Sequence, residues 1–220
     1  MTYHLRHIAT DDWMTIIFMT CLLLIVTSKA LFPFRFIHFH TLPTSNKYLL
    51  LYGKDKNPIP ARFNILLFVV QVLSFSALIV LALYQLEVRS SDATLFIQVT
   101  TFLTAFVGLK YLLEKIVAVT FEFEGILDQY NFQKLSYRNL IAQYILPLLL
   151  LTTYAPFGQK TFFFVTIVLF GLLNCISFYI VLKNHQNLIS KHFFYFILYL
   201  CAFEIAPYLI VYKLVSNRYF

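Results

Sequence analysis

Residues 193–212 read FFYFILYLCAFEIAPYLIVY, a run of hydrocarbon and aromatic side chains from Phe193 to Tyr212 broken by a single carboxylate, Glu204. At ~1.5 Å of rise per residue, such a helix crosses a bilayer core of ~30 Å. A carboxylate near its midpoint is costly unless protonated, paired or facing water, which makes Glu204 a candidate functional residue. Pro207 lies one turn further on. It removes a backbone donor and frees the carbonyl of Phe203 beside the acid.

The rest of the chain follows the same chemistry. Of its 220 residues 60% are hydrophobic and only 12% charged, about half the charge of a soluble domain. The 25 Phe and 15 Tyr residues suit membrane cores and interfacial belts. The expected fold is all-α: a polytopic transmembrane bundle in a single membrane domain, with the lipid bilayer as its first partner. Six runs are long and apolar enough to be spans: Trp13–Ala30, Phe63–Leu86, Leu95–Val119, Leu140–Pro156, Thr161–Leu182 and Phe193–Tyr212. The fourth carries Pro147, expected to kink or tilt it. Asp11 and Asp12 precede the first run where a signal peptide wants positive charge, so that run reads as a retained span.

The formal charge of +7 comes from basic residues lying between the apolar runs, which reads as topology and lipid contact rather than nucleic-acid binding. Five of them, Arg6, Arg89, Lys160, Lys213 and Arg218, fall on one side of a six-span chain and twelve on the other. The richer side is expected in the cytoplasm, with both termini outside it. Two connections on the cytoplasmic side, 31–62 and 120–139, are aromatic and basic, and read as interfacial segments. In the first, Phe32, Phe36 and Phe39 are expected to dip into the membrane, with Arg35 and Lys47 at the headgroups.

The third span supplies partners for Glu204. Lys110 and Glu204 lie at depths of ~13 and ~16 Å from the cytoplasmic ends of their spans. Glu114, one turn from Lys110, projects from the same helix face. The expected intramembrane polar network is therefore Lys110, Glu114 and Glu204. Asn139, Gln143 and Asn174 read as polar groups that join helices. No metal site is expected, because His38 and His40 lack accompanying cysteine or carboxylate ligands. Cys21, Cys175 and Cys201 sit in apolar runs without paired spacing. The acids of FEFEG, Glu122 and Glu124, read as a solvated turn, and no nucleophile or phosphate-loop motif appears. No catalytic residue and no cofactor are expected.

Residues 198–214, LYLCAFEIAPYLIVYKL, also resemble the C-terminal signature of a family of small multi-pass inner-membrane proteins of Gram-negative bacteria that has no assigned function. The pattern is matched at Tyr199, Leu200, Cys201, Glu204, Ile205, Pro207 and Lys213. Phe203 and Ala206 stand where the family has leucine. The early Asp12-Trp13 and the proline-bearing fourth run fit as well, so the similarity extends over the chain. It implies a bacterial inner-membrane location and no activity. Together these features point to a non-enzymatic accessory or scaffold subunit of an envelope assembly, with membrane-protein partners. The alternative is a small transporter or proton-coupled channel using Glu204, and a third reading is a lipid-modifying enzyme using His38, His40 or the FEFEG acids.

Overall fold

The computed structural model describes residues 12–45, 47–53, 62–85, 92–120, 124–155, 158–184 and Lys213. Among the described residues the chain is all-helical, with no strand. Seven helices follow one another: α1 (Asp12–Leu31), α2 (Pro33–His40), α3 (Lys47–Tyr52), α4 (Arg62–Gln85), α5 (Ala93–Thr120), α6 (Glu124–Tyr154) and α7 (Gln159–Asn184). Three of them, from Trp13, Arg62 and Gln159 onward, are long and apolar enough to cross a membrane. The run 193–212, with Glu204 and Pro207, lies outside the described residues, as does Glu122.

Helix α4 occupies the middle of the packing, against α1, α5 and α6, while α7 packs mainly on α6. Burial follows from that position. Twelve of the 24 residues of α4 are buried, whereas α7 buries Thr166 and Val181. A helix that is apolar all round has no sequence stripe to say which face meets protein and which meets its surroundings. Here neighbours decide.

Helix α6 is the main departure from the sequence reading. It runs unbroken for 31 residues, ~46 Å at the rise of an α-helix, and absorbs most of the connection expected at 120–139. The reason is an amphipathic stripe. Leu127, Tyr130, Tyr137 and Ile141 recur at helical spacing and are all buried. A search for continuous apolar runs passes over such a helix because its other faces are polar. Pro147 sits inside α6 on an exposed face. The hairpin from α6 to α7 turns at Gly158, whose φ of 74° is left-handed and favours glycine over any residue with a Cβ.

The segment after α1 is also reoriented. Pro33 has no N–H to continue α1, and Phe32 leaves helical geometry at φ −133° and ψ 60°. The chain restarts there as α2. The sequence points Phe32, Phe36 and Phe39 toward the bilayer, but the structure turns them inward. Phe39 is fully buried, and Phe32 and Phe36 pack partly buried against the same core cluster. Phe39 meets Phe63 and Tyr48 edge-on at 5.7 and 5.6 Å, and Tyr48 stacks on Phe132 at 5.6 Å. Arg35 lies over the rings of Tyr52, Phe63 and Tyr48 at 4.6, 5.3 and 5.9 Å, a set of cation–π contacts.

Two hydrogen bonds pin this plug to the bundle. Tyr48 Oη donates to Asn64 Oδ1 at 3.2 Å, and Tyr137 Oη to the Leu42 carbonyl at 3.4 Å. Burial pushes the Tyr48 phenol above its ordinary range, with Arg35 opposing the rise, so the phenol keeps the proton it donates. His40, packed on Phe36 and Tyr144, is held below the usual histidine range by burial and then by Lys29.

The outward face of the plug is Leu31, Phe34, Ile37, Leu50 and Leu51, each more than half exposed. Both faces of α2 are apolar, so the sequence cannot say which one turns in. For protein reconstituted in lipid nanodiscs, a bimane label at Phe34→Cys is expected to be quenched by spin-labelled lipid, and one at Ile37→Cys likewise. Quenching of both by aqueous iodide instead would show that this face does not meet lipid. Phe39→Ala is expected to destabilise by ~3 kcal/mol or more, seen as a lowered melting temperature, as for other fully buried Phe truncations.

Candidate functional site

Where α4, α5 and α6 meet, a partly open cavity of about 300 Å³ has a mostly apolar wall whose lining residues include several polar and charged ones. Helix α4 lines it with Asn64, Ile65, Phe68 and Gln71, and α5 with Val107, Gly108, Lys110, Tyr111 and Glu114. Helix α6 adds Asn131, Lys134, Leu135 and Arg138. Each set follows helical spacing. Asn64 and Gln71 are seven apart, Lys110 and Glu114 four, and Asn131, Lys134 and Arg138 three and four, so each helix turns one polar stripe to the same space.

Lys110 and Glu114 form the charged centre. Their Nζ and Oε1 atoms are 3.9 Å apart, with side-chain exposures of 8% and 4%. The separation is that of an ion pair rather than of a hydrogen bond. Around them Asn64, Gln71 and Asn131 are buried, and Lys134 and Arg138 half-buried. The described lining residues thus include three basic side chains and one carboxylate, with Lys134 Nζ lying over the ring of Tyr130 at 5.8 Å. They hold no Ser, Cys, His or Asp, and the wall between the polar groups is mostly apolar carbon. Such an arrangement can take a solute whose charge and hydrogen bonds replace those of water.

Two acceptors in this wall, Gln71 Oε1 and Glu114 Oε1, are buried without a hydrogen-bond partner among the described residues. Both side-chain polar atoms of Asn139 and Nε2 of Gln143 are in the same condition further along α6. Buried polar groups are nearly always satisfied, and exceptions commonly mark water or ligand.

The residues expected from sequence therefore divide. Lys110 and Glu114 are brought together, and Glu204 lies outside the described residues. Asn174 Nδ2 donates to Phe170 O of its own helix at 2.8 Å. His38 faces Tyr52 while His40 faces Phe36 and Tyr144, because residues two apart on a helix diverge. Sequence reasoning missed Asn64, Gln71, Asn131, Lys134 and Arg138 as site residues. The available signal was the seven-residue spacing of Asn64 and Gln71 in an otherwise apolar helix, repeated by Asn131 and Arg138.

A double-mutant cycle of Lys110→Met and Glu114→Gln in mild detergent measures whether the pair acts as a unit. Each single change is expected to lower stability, and the double change to restore part of it, with a coupling of ~1–3 kcal/mol. Additive losses would mean that the two charges are satisfied independently.

No curated protein and no solved structure matches the chain. The family of the domain of unknown function DUF4271 matches residues 14–215, nearly the whole sequence. The chain therefore belongs to the DUF4271 family, a family without an assigned function.

Proposed function

We propose that this protein is a multi-pass protein of the bacterial inner membrane that holds a polar solute inside its helical bundle, as a binding or transport subunit. In this reading the chain crosses the membrane six times with both termini outside the cytoplasm. Four of the spans are α1, α4, α5 and α7, a fifth is the apolar half of α6, and the sixth is the run containing Glu204. The observation that carries the proposal is the cavity between α4, α5 and α6, whose lining includes the Lys110–Glu114 pair, Lys134 and Arg138.

Charged groups at such depth are costly in a bilayer and concentrate along solute pathways. A bundle that only displayed surfaces to partners would gain stability by filling this space with hydrocarbon. The accessory-subunit reading rests on missing catalytic motifs, which a binding or transport protein lacks equally. The cavity therefore moves the proposal toward solute handling.

Access of water to the cavity tests this directly. In a variant whose native cysteines are replaced by alanine, Leu135→Cys places a thiol in the cavity wall. A membrane-impermeant methanethiosulfonate reagent is expected to label it in intact membranes. Leu140→Cys, at a position buried in the core, is expected to stay unlabelled. Equal protection of both would indicate a closed, dry cavity and return the protein to the scaffold reading.

A further inference from the structure

The wall of the cavity narrows the solute class, an inference that rests on the solute-binding reading above. Most of that wall is carbon, with Ile65 and Phe68 of α4, Val107 of α5 and Leu135 of α6 along it. A site of this kind takes its affinity from an apolar body and its selectivity from a few polar groups. Basic side chains of the lining are engaged: Lys110 Nζ pairs with Glu114 Oε1 at 3.9 Å, and Lys134 Nζ lies over the Tyr130 ring at 5.8 Å. A charged head would have to draw such a group from its partner inside a poorly hydrated space. An uncharged head makes no such demand.

The polar group that selects is Gln71. It lines the cavity and is 2% exposed, and its Oε1 has no donor among the described residues. A buried amide oxygen without a donor is costly, and a ligand that brings one O–H removes that cost. An ether, which only accepts, cannot. The mouth in turn fits a molecule that comes from the bilayer. Ile65 and Gly108 line the cavity and are exposed as well, which places the opening between α4 and α5. A Cβ at Gly108 would meet nothing within 4 Å, so the helix surface is open there. Val69, Leu109 and Leu112, one residue or one turn away on the same two helices, are exposed and apolar. An alkyl tail can rest on that surface while its head lies inside.

We infer that the cavity between α4, α5 and α6 binds an uncharged lipid with a hydroxyl head, of the long-chain alcohol class. The hydroxyl donates to Gln71 Oε1, the first carbons lie against Phe68, Val107 and Leu135, and the tail leaves past Ile65 and Gly108.

The full chain in lipid nanodiscs is photolabelled with a dodecanol that carries a diazirine near its hydroxyl end, and the labelled residues are mapped by mass spectrometry. Label is expected on the α4, α5 and α6 residues of the cavity wall. Unlabelled 1-dodecanol is expected to displace it about fivefold better than dodecyl methyl ether, the worth of one hydrogen bond, and better than dodecanoate. Gln71→Leu removes the unsatisfied acceptor and is expected to melt no lower than the unaltered protein. In that variant the alcohol is expected to lose its advantage, while competition by the ether stays unchanged. A merely structural role for Gln71 would shift alcohol and ether together and would overturn the inference. So would equal competition by alcohol and ether on the unaltered protein, dodecanoate competing as well as dodecanol, or label on the exposed faces of α1 and α7 as strong as that in the cavity. If Gln71→Leu fails to fold, the comparison of alcohol with ether on the unaltered protein decides the result. If the cavity takes no label while Leu135→Cys reacts from water, solute binding stands and only the ligand class fails.

Discussion

Desolvation of charge is the constraint around which this bundle is arranged. Lys110 and Glu114 lie almost fully buried on one face of α5, 3.9 Å apart, in a protein whose other helix contacts are largely hydrocarbon and aromatic. Removing two ions from water costs several kcal/mol each, and mutual attraction offsets this only with good geometry and further polar contacts. The polar stripes of α4 and α6 supply that environment. Asn64, Gln71, Asn131, Lys134 and Arg138 sit where α5 would otherwise bury its charges in carbon. Three helices are thereby fixed in rotation about their axes, since turning any one of them by a few residues would place its polar stripe against an apolar neighbour.

The aromatic plug of α2 and α3 holds the start of α4 to this arrangement. Tyr48 donates to Asn64 Oδ1, and Asn64 itself lines the cavity. Phe39 and Phe132 pack on the tyrosine ring, Phe63 packs on Phe39, and Arg35 covers the rings from one side. A connection rich in phenylalanine and basic residues thus supports the site from its flank. Its exposed side keeps Leu31, Phe34 and Ile37 for the surroundings.

The helical class and three of the expected spans, α1, α4 and α7, were legible because long uninterrupted hydrophobic runs have few other stable forms. The Lys110–Glu114 contact was legible too, since four residues on a helix are one turn. What escaped was governed by relations between helices. Lys134 and Arg138 look like ordinary residues of a basic connection until α6 is seen to continue through them. Asn64 and Gln71 look like isolated polar interruptions until α5 and α6 are placed beside α4. Which face of α2 turns inward was hidden for a different reason: Phe32, Phe36 and Phe39 on one side and Leu31, Phe34 and Ile37 on the other are equally apolar. Only the fit of Phe39 among Tyr48, Phe63 and Phe132 decides between them.

The central proposal is that the cavity between α4, α5 and α6 holds a solute rather than being a gap in a helix interface. A cryo-electron microscopy map of the full chain purified with native lipids in nanodiscs tests it most directly. The account predicts ordered non-protein density between the three helices, bounded by Lys110, Lys134 and Arg138. Side chains of α4, α5 and α6 interdigitated through that volume, with no density between them and Lys110 and Arg138 turned away, would contradict it.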